Sequence, residues 1–361
     1  MTKTAVLLEE FSRIGGGQNV AKHIMRSLSD KYDFDIVADR YHPVMDGFSF
    51  NKIVETRYEY YEGISFIKLL LGIKKLSKDL KDLDRYIASH DLSINNHPNI
   101  FLYNATINIL HESFLRYNLT KNVFLDSFVN RLIKASKVYS IYSDARMVLP
   151  GNYLKKEIAD QCKYLGINPV LNVINYPVDY PSDTNFDLKK KFAIIFGRIN
   201  PDKKLETVFD IAKNSKNRFV IAGSVNKGSE WYLNKLILNK PHNVEIIINP
   251  DEETKNQLLT QATVYLHTKN FESYGLSVAE GLSYGCIPVV PKNGGPWVDI
   301  VKSGSYGFGY LDPQEASEII DNVINDNISN YRYVYASRDR FSFDRFRSSF
   351  LDLVQKSLSL Q

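Results

Sequence analysis

The stretch "FAIIFGRINPDKK" at 192–204 sets the architecture, because a five-residue apolar run ends abruptly in a loop of Gly, Arg, Pro and Lys. Such a run, bounded by turn residues, predicts a buried strand of a parallel sheet, with its polar loop at the carboxyl end. Just upstream, "INYPVDYPSDTNFDLKKK" at 174–191 breaks all periodicity with two prolines, acidic and small residues and a lysine run, which predicts a linker. Downstream, a helix is expected over Lys204–Lys213, then strands at Phe219–Ala222, Val244–Ile248, Val264–Leu266 and Ile287–Val290. Upstream of the linker, strands are expected at Ala5–Leu8, Phe34–Val37, Leu92–Asn95, Ile107–Leu110, Val138–Tyr142 and Val173–Ile174. Helices are expected there at Asn19–Ser29, Phe124–Lys134 and Tyr153–Tyr164.

Alternation of short apolar runs with helical patterns is the mark of βαβ units. The 361 residues exceed one ordinary core and fit two. Two α/β domains are therefore expected, 1–178 and 179–342, with a last helix inside 343–361 returning to the first. Ligands of open parallel sheets bind at the carboxyl ends of strands, so a cleft between the domains is the expected site.

Composition narrows the function. Apolar residues make up 44%, enough for full globular cores, and 45 basic residues nearly balance 41 acidic ones. That is far from the basic stripe of a nucleic-acid binder. The two cysteines, Cys162 and Cys286, lie far apart without metal-ligand spacing and suit a reducing compartment. The amino-terminal run Ala5–Leu8 is too short for a signal-peptide core, and no stretch reaches the roughly 20 apolar residues of a spanning helix. A cytoplasmic protein is expected.

Four loops have the chemistry of phosphate binding. In "RIGGGQNVAKHI" (13–24) three glycines follow the first strand and precede a helix, whose amino terminus carries about half a positive charge. Alone, that reads equally well as a tight βα turn. In 197–203, Arg198 offers a planar fork and Lys203 a point charge, on either side of Pro201. In "FESYGLSVAE" (271–280), Ser277 followed by Glu280 predicts a capping box that starts a helix ending near Tyr284. Capping leaves Glu272 unexplained. In "PVVPKNGGPWVDIV" (288–301) a strand leads to a Gly-Gly pair with Pro296 at the first helical position. Asp299 there is favourable to the helix dipole.

Together these residues resemble the GT-B glycosyltransferases of the GT4-like group (glycosyl transferases group 1). The resemblance runs through GGGQ at 15–18, VINYPVD at 173–179, GRINPDK at 197–203, IAGS at 221–224, FESYGLSVAE at 271–280 and GGPWVDIV at 294–301. The last of these looks most like the lipid-linked α-1,2-mannosyltransferases.

The resemblance implies two Rossmann-like, doubly wound domains facing each other across a cleft. It also implies retaining, metal-independent transfer of a hexose from a nucleotide-diphosphate sugar of the GDP-mannose or UDP-glucose type. By position, Arg198 and Lys203 would neutralise the diphosphate and Glu280 would bind the ribose hydroxyls. Glu272 would contact the transferred sugar, and the backbone of Tyr274, Gly275 and Leu276 would lie near sugar and phosphate. Gly16 and Gly17 would form the first-domain loop near the phosphates and acceptor. His111, in "INILHESF", is the best match for the family's sugar-contacting histidine, with His97 the alternative.

The acceptor would be a glycan or a lipid-linked glycan. The stretch 64–85, "ISFIKLLLGIKKLSKDLKDLDR", has two readings as a helix. One puts an apolar face on the membrane surface, flanked by Lys74, Lys75 and Lys78. The other is a core-facing helix with a solvated lysine edge. Rival functions on the same architecture are a nucleotide-sugar epimerase or hydrolase and a non-catalytic carbohydrate-binding protein. Neither explains the whole set of Arg198, Lys203, Glu272 and Glu280.

Overall fold

The computed structural model describes residues 4–8, 16–32, 34–38, 53–55, 99–102, 105–109, 127, 131, 134–135, 146–225 and 228–359. It divides into two compact units, Met1–Pro177 with Phe343–Gln361, and Val178–Ser342. The expected strands at Leu92–Asn95 and Val138–Tyr142, the 64–85 segment, His97 and His111 lie outside the described residues.

In the first unit the described strands are β1 (Thr4–Leu8), β2 (Phe34–Ala38), β3 (Ile53–Glu55), β4 (Asn99–Leu102), β5 (Ala105–Ile109), β6 (Arg146–Leu149) and β7 (Val170–Val173). They form one sheet in the order β3-β2-β1-β4-β5-β6-β7. The sheet departs from the all-parallel expectation at its centre, where β4 runs antiparallel to both β1 and β5. Only two residues separate Leu102 from Ala105, and a parallel crossover needs a dozen or more.

Helix α1 (Gly16–Leu28) starts three residues earlier than expected, so Gly16 and Gly17 are its first two residues rather than a loop before it. Val20, Ile24, Met25 and Leu28 line its buried face at helical spacing. Helix α2 (Asn152–Leu165) ends at Gly166, whose φ of 73° makes the left-handed cap that glycine accepts without strain. Helical conformation recurs at 127, 131 and 134, within the Phe124–Lys134 expectation, and at 135 just past it. The terminal helix, introduced here as α9 (Phe343–Ser359), belongs to this unit and packs on α1. The Phe343 ring lies 5.6 Å from His23 and 4.2 Å from the Arg26 guanidinium, and Arg347 reaches Asp30 at 2.6 Å.

The second unit is built on β8 (Lys190–Phe196), β9 (Arg218–Gly223), β10 (Val244–Ile248), β11 (Ala262–Leu266), β12 (Ile287–Pro291) and β13 (Phe308–Tyr310). All its pairings are parallel, in the order β10-β9-β8-β11-β12-β13. β11 and β12 are buried along their whole length, as strands covered on both faces must be. Between strands run α3 (Glu206–Ala212), α4 (Glu230–Asn239), α5 (Glu252–Gln261) and α6 (Leu276–Ser283), with α7 (Pro313–Asn325) and α8 (Arg332–Ala336) after the last strand. Asp251 caps α5 through the Thr254 amide at 2.8 Å. Asp312 caps α7 through Gln314 and Glu315, with Pro313 at the first position. α3 is shorter than the expected Lys204–Lys213 because Lys204 adopts a left-handed φ of 50° and ends a 3-10 turn over Pro201–Lys203.

The lysine run before β8 is not simply a solvated linker. Lys189 turns inward, and its ammonium donates to the carbonyls of Leu259, Ala262 and Tyr284 at 3.2, 2.8 and 2.8 Å. Burial pushes its pKa down, and the three carbonyls supply the hydrogen bonds that water would otherwise give.

Where β8 ends, Gly197 passes directly over Gly223 at the end of β9. The Gly197 amide donates to Ala222 at 3.0 Å and the Ile199 amide to Ser224 at 2.8 Å. A Cβ on Gly223 would stand 1.5 Å from the Gly197 carbonyl oxygen. The glycine of "IAGS" therefore seats the 197–203 loop. Gly223→Ala is expected to destabilise the protein by about 3 kcal/mol through overpacking, read as a lower urea midpoint; an unchanged midpoint contradicts this account.

Candidate donor-sugar site

The strand order of the second unit reverses between β8 and β11, which neighbour each other at its centre while the chain winds outward from both. Loops leaving such a pair separate, opening a crevice where ligands of doubly wound folds bind. The loop after β8 carries Arg198 and Lys203, and the loop after β11 carries His267, Lys269 and Glu272.

The structure brings Lys203 and Glu272 together across that crevice, Nζ to Oε2 at 2.9 Å. Lys269 Nζ lies 3.5 Å from the same oxygen and 3.5 Å from Asp202 Oδ2. The Thr268 hydroxyl donates to the Lys203 carbonyl at 2.7 Å and ties the two loops through the backbone. The Glu272 side chain is only 16% exposed. Burial pushes its carboxyl up, but the charges of Lys203 and Lys269, with His267 beside them, outweigh burial and hold it at about 2. Glu272 is an ionised acceptor at neutral pH.

His267 is buried, and its Nε2 has no hydrogen-bond partner among the described residues. Its backbone is fixed by the Val289 carbonyl at 2.9 Å and by the Tyr310 hydroxyl at 2.7 Å. Burial lowers its pKa to about 4; Glu272 opposes the shift, while Lys203 and Lys269 add to it. The imidazole is therefore neutral at physiological pH. Arg198 is exposed in the same loop and has no ion-pair or hydrogen-bond partner among the described residues.

The expected capping box does not form. Gly275, at φ 95°, is the amino cap of α6, which places Ser277 inside the helix. Glycine at this point accepts the left-handed conformation, and a Cβ would meet Pro296 Cγ at 2.8 Å. The Ser277 hydroxyl goes to the Tyr265 phenol instead. Glu280 pairs with Lys255 of α5 at 3.0 Å. Burial pushes the Glu280 carboxyl up against the pull of Lys255, whose own pKa the carboxylates raise against burial. Gly281 lets α6 press onto β11, since a Cβ there would meet the Tyr265 ring at 2.1 Å.

The Gly-Gly pair of the fourth loop is likewise accounted for by packing rather than by an anion. A Cβ on Gly294 would stand 2.8 Å from the Glu272 carbonyl oxygen, and one on Gly295 2.3 Å from that of Ser273. The Gly295 amide donates to the Glu272 carbonyl at 2.7 Å. The helix that follows is a single π turn, Pro296–Ile300. Asp299 is buried in its first turn, and Arg340 donates to the Asp299 carbonyl at 3.2 Å and the Ile300 carbonyl at 2.9 Å. Thus "GGPW" clamps the loop that carries Glu272.

Tyr274 is buried, with burial raising its phenol pKa, and Leu276 is the first residue of α6. Gly16 and Gly17 open α1 in the other unit. Sequence reasoning missed His267, Lys269 and Lys255. For the first two a signal existed: both follow the end of a buried strand, in "VYLHTKNFE" (264–272), where residues of an open sheet reach the ligand. Lys255 lies on a helix remote in sequence, with nothing local to mark it.

Stability carries a signature of this site. His267 titrates near 6.5 unfolded and about 4 folded, so its contribution is present above about pH 6.5 and is lost as pH falls towards 4. The difference in urea stability between the wild type and His267→Asn should therefore change by about 3 kcal/mol across that window. Parallel curves for the two proteins contradict a buried neutral imidazole.

Residues 179–340 match the family model for glycosyl transferases group 1. The GDP-Man:Man(3)GlcNAc(2)-PP-Dol alpha-1,2-mannosyltransferase of Dictyostelium discoideum is 33% identical over 121 residues, 33% of this chain and 24% of that protein. A probable sucrose-phosphate synthase of Thermosipho melanesiensis is 24% identical over 197 residues, 51% of this chain and 46% of that one. The chain thus spans a quarter to a half of the length of these curated relatives. Among solved structures, Anabaena HepE in complex with UDP and glucose superposes with a TM-score of 0.68 at 15% identity, covering 99% of this chain and 100% of that one. Sucrose-phosphate synthase from Thermosynechococcus elongatus gives 0.69 at 14% identity, covering 98% and 99%. At such identities the likeness speaks for the fold alone. Residues 179–340 thus match the group 1 glycosyl transferases, in a chain whose fold is that of the GT-B structures on which it superposes.

Proposed function

We propose that the protein is a retaining, metal-independent glycosyltransferase that moves a hexose from a nucleotide-diphosphate sugar to a hydroxyl of a glycan or lipid-linked acceptor. The observation that carries this reading is the meeting of Lys203 and Glu272 at the β8/β11 reversal, beside an exposed Arg198 that has no ion-pair partner among the described residues. A nucleotide sugar presents a dianionic diphosphate next to a hydroxyl-bearing ring. Cations and an ionised carboxylate side by side match those two halves.

In this reading Arg198 and Lys203 take the diphosphate, together with the amides at the start of α6, which Gly275 caps. Departure of the leaving group develops negative charge on the phosphate, and fixed cations stabilise it without a proton transfer. Glu272 accepts from hydroxyls of the transferred hexose. Glu280, one helical turn into α6, accepts from the ribose hydroxyls, with Lys255 keeping it in place. The backbone of Tyr274, Gly275 and Leu276 lines the sugar and phosphate. Gly16 and Gly17 at the head of α1 are assigned to the acceptor side. His111, or His97 in its place, is assigned to the sugar, and 64–85 to a membrane-bound acceptor at the cytoplasmic face. GDP-mannose and UDP-glucose are the donors to try first, since the relatives and neighbours carry GDP-Man and UDP in their names.

Screening GDP-, UDP- and ADP-sugars by thermal shift should single out one base, because a ligand at about 100 times its Kd adds about 2.7 kcal/mol to apparent stability. With that donor, release of nucleoside diphosphate should require acceptor. Arg198→Ala should weaken kcat/KM by about tenfold to a hundredfold, the cost of charge-assisted hydrogen bonds. Unchanged turnover in Arg198→Ala overturns the donor assignment, and equal release without acceptor favours a hydrolase.

A further inference from the structure

Donor binding as proposed above creates a problem for Glu272. Lys203 cannot keep its ammonium on Glu272 at 2.9 Å and also present it to a diphosphate. The Lys203 backbone is held by the Thr268 hydroxyl, so its side chain alone is free to turn. The Glu272 backbone is held as well, by the Gly295 amide on its carbonyl and by Gly294 and Gly295 packed against it, so the carboxyl stays in the crevice beside Lys269. Once Lys203 turns away, a carboxylate with 84% of its side-chain surface covered keeps one cation within ion-pair distance among the described residues, and that is Lys269.

We propose that Lys269 is the positioning residue that holds the Glu272 carboxylate towards the sugar while Lys203 turns to the donor diphosphate. Its ammonium sits between two carboxylates on different loops, 3.5 Å from Glu272 Oε2 and 3.5 Å from Asp202 Oδ2. Asp202 thereby anchors Lys269 from the side of the 3-10 turn, next to Lys203 itself. The charged and titratable groups around Glu272 are Lys203 and Asp202 from that turn and His267 and Lys269 from the loop after β11. Above about pH 4 the buried His267 is neutral and adds no charge, while below it the imidazolium joins the lysines in lowering the Glu272 carboxyl. Free protein and donor complex thus differ in which lysine dominates, and the carboxylate stays where it is.

This inference rests on the donor reading, and the tests separate the two. Carboxyl-labelled glutamate in the full chain allows Glu272 to be titrated by carbon NMR, with UDP or GDP as the nucleotide probe. In the wild type, Glu272 should remain ionised down to about pH 4 with and without nucleotide. In nucleotide-saturated Lys269→Met its midpoint should rise by at least about one unit, a tenfold change in protonation. The acid limb of kcat/KM should move with it, and Lys269→Arg should restore both. A midpoint unmoved in Lys269→Met, or unrestored by Lys269→Arg, overturns the proposal.

Lys203→Met gives a second test that needs neither Lys269 variant nor nucleotide. Made together with His267→Asn, it leaves Lys269 as the cation beside Glu272 among the described residues, and Glu272 should still titrate below the ordinary carboxylate range. Titration within or above that range overturns the role of Lys269. Absence of any response to either nucleotide in the wild type would instead sink the donor reading, leaving the Lys203→Met result standing.

Discussion

A carboxylate removed from water stays charged only if cations come to it, and much of the second unit is arranged around that requirement at Glu272. The penalty for burying an ion is several kcal/mol even after relaxation, so an isolated Glu272 would take up a proton. Two ammonium groups on one of its oxygens reverse the balance. Neither lysine could be there without the strand order, because Lys203 leaves β8 while Lys269 leaves β11. Only the reversal between those neighbouring strands sets their loops side by side.

The glycines follow from the same requirement. Gly223 admits the Gly197 crossing, which starts the loop bearing Lys203. Gly294 and Gly295 admit the 271–274 backbone, which fixes Glu272 from behind. Gly275 turns the chain into α6 against Pro296, and Gly281 brings α6 down onto Tyr265. Each is a point where two backbones, or a backbone and a ring, come closer than a Cβ allows. Glycine-rich loops of this kind invite a reading as phosphate cradles. Here several of them hold the loops that carry the charged side chains, a step behind the anion rather than on it.

That distinction marks what the sequence could and could not convey. The central strands of the second unit were legible because they are buried on both faces and read as unbroken apolar runs, as "FAIIF" and "IPVV" do. Arg198, Lys203, Glu272 and Glu280 were legible as a set because each stands in a loop, or in the expected first turn of a helix, where charge has no packing use. The antiparallel β4 was hidden, since "NIFL" carries no mark of direction and only its two-residue link to β5 reveals it. Lys189 was hidden among lysines that look solvated, as the carbonyls it satisfies lie 70 and more residues away. Lys255 and its pairing with Glu280 were hidden for a related reason. Their significance comes from neighbours brought close only by the fold.

Glu280 shows how a correct residue can be found by an incomplete argument. Ser277 and Glu280 have the spacing of a capping box, which would fold the carboxylate back on its own helix. The left-handed Gly275 moves the cap two residues upstream, and Ser277 turns to Tyr265 instead. Glu280 is then released from capping and meets Lys255, on a helix that precedes β11. The second unit therefore holds two buried carboxylates within eight residues, each paired to lysine, but balanced differently. At Glu272 the cations prevail over burial, whereas at Glu280 burial prevails over one lysine shared with Glu252. Hydroxyls donated to Glu280 would shift that balance towards the charged form, because hydrogen bonds to a carboxylate favour its ionisation. In the donor complex proposed above a ribose would supply such hydroxyls, so nucleotide binding would favour the charged form of Glu280.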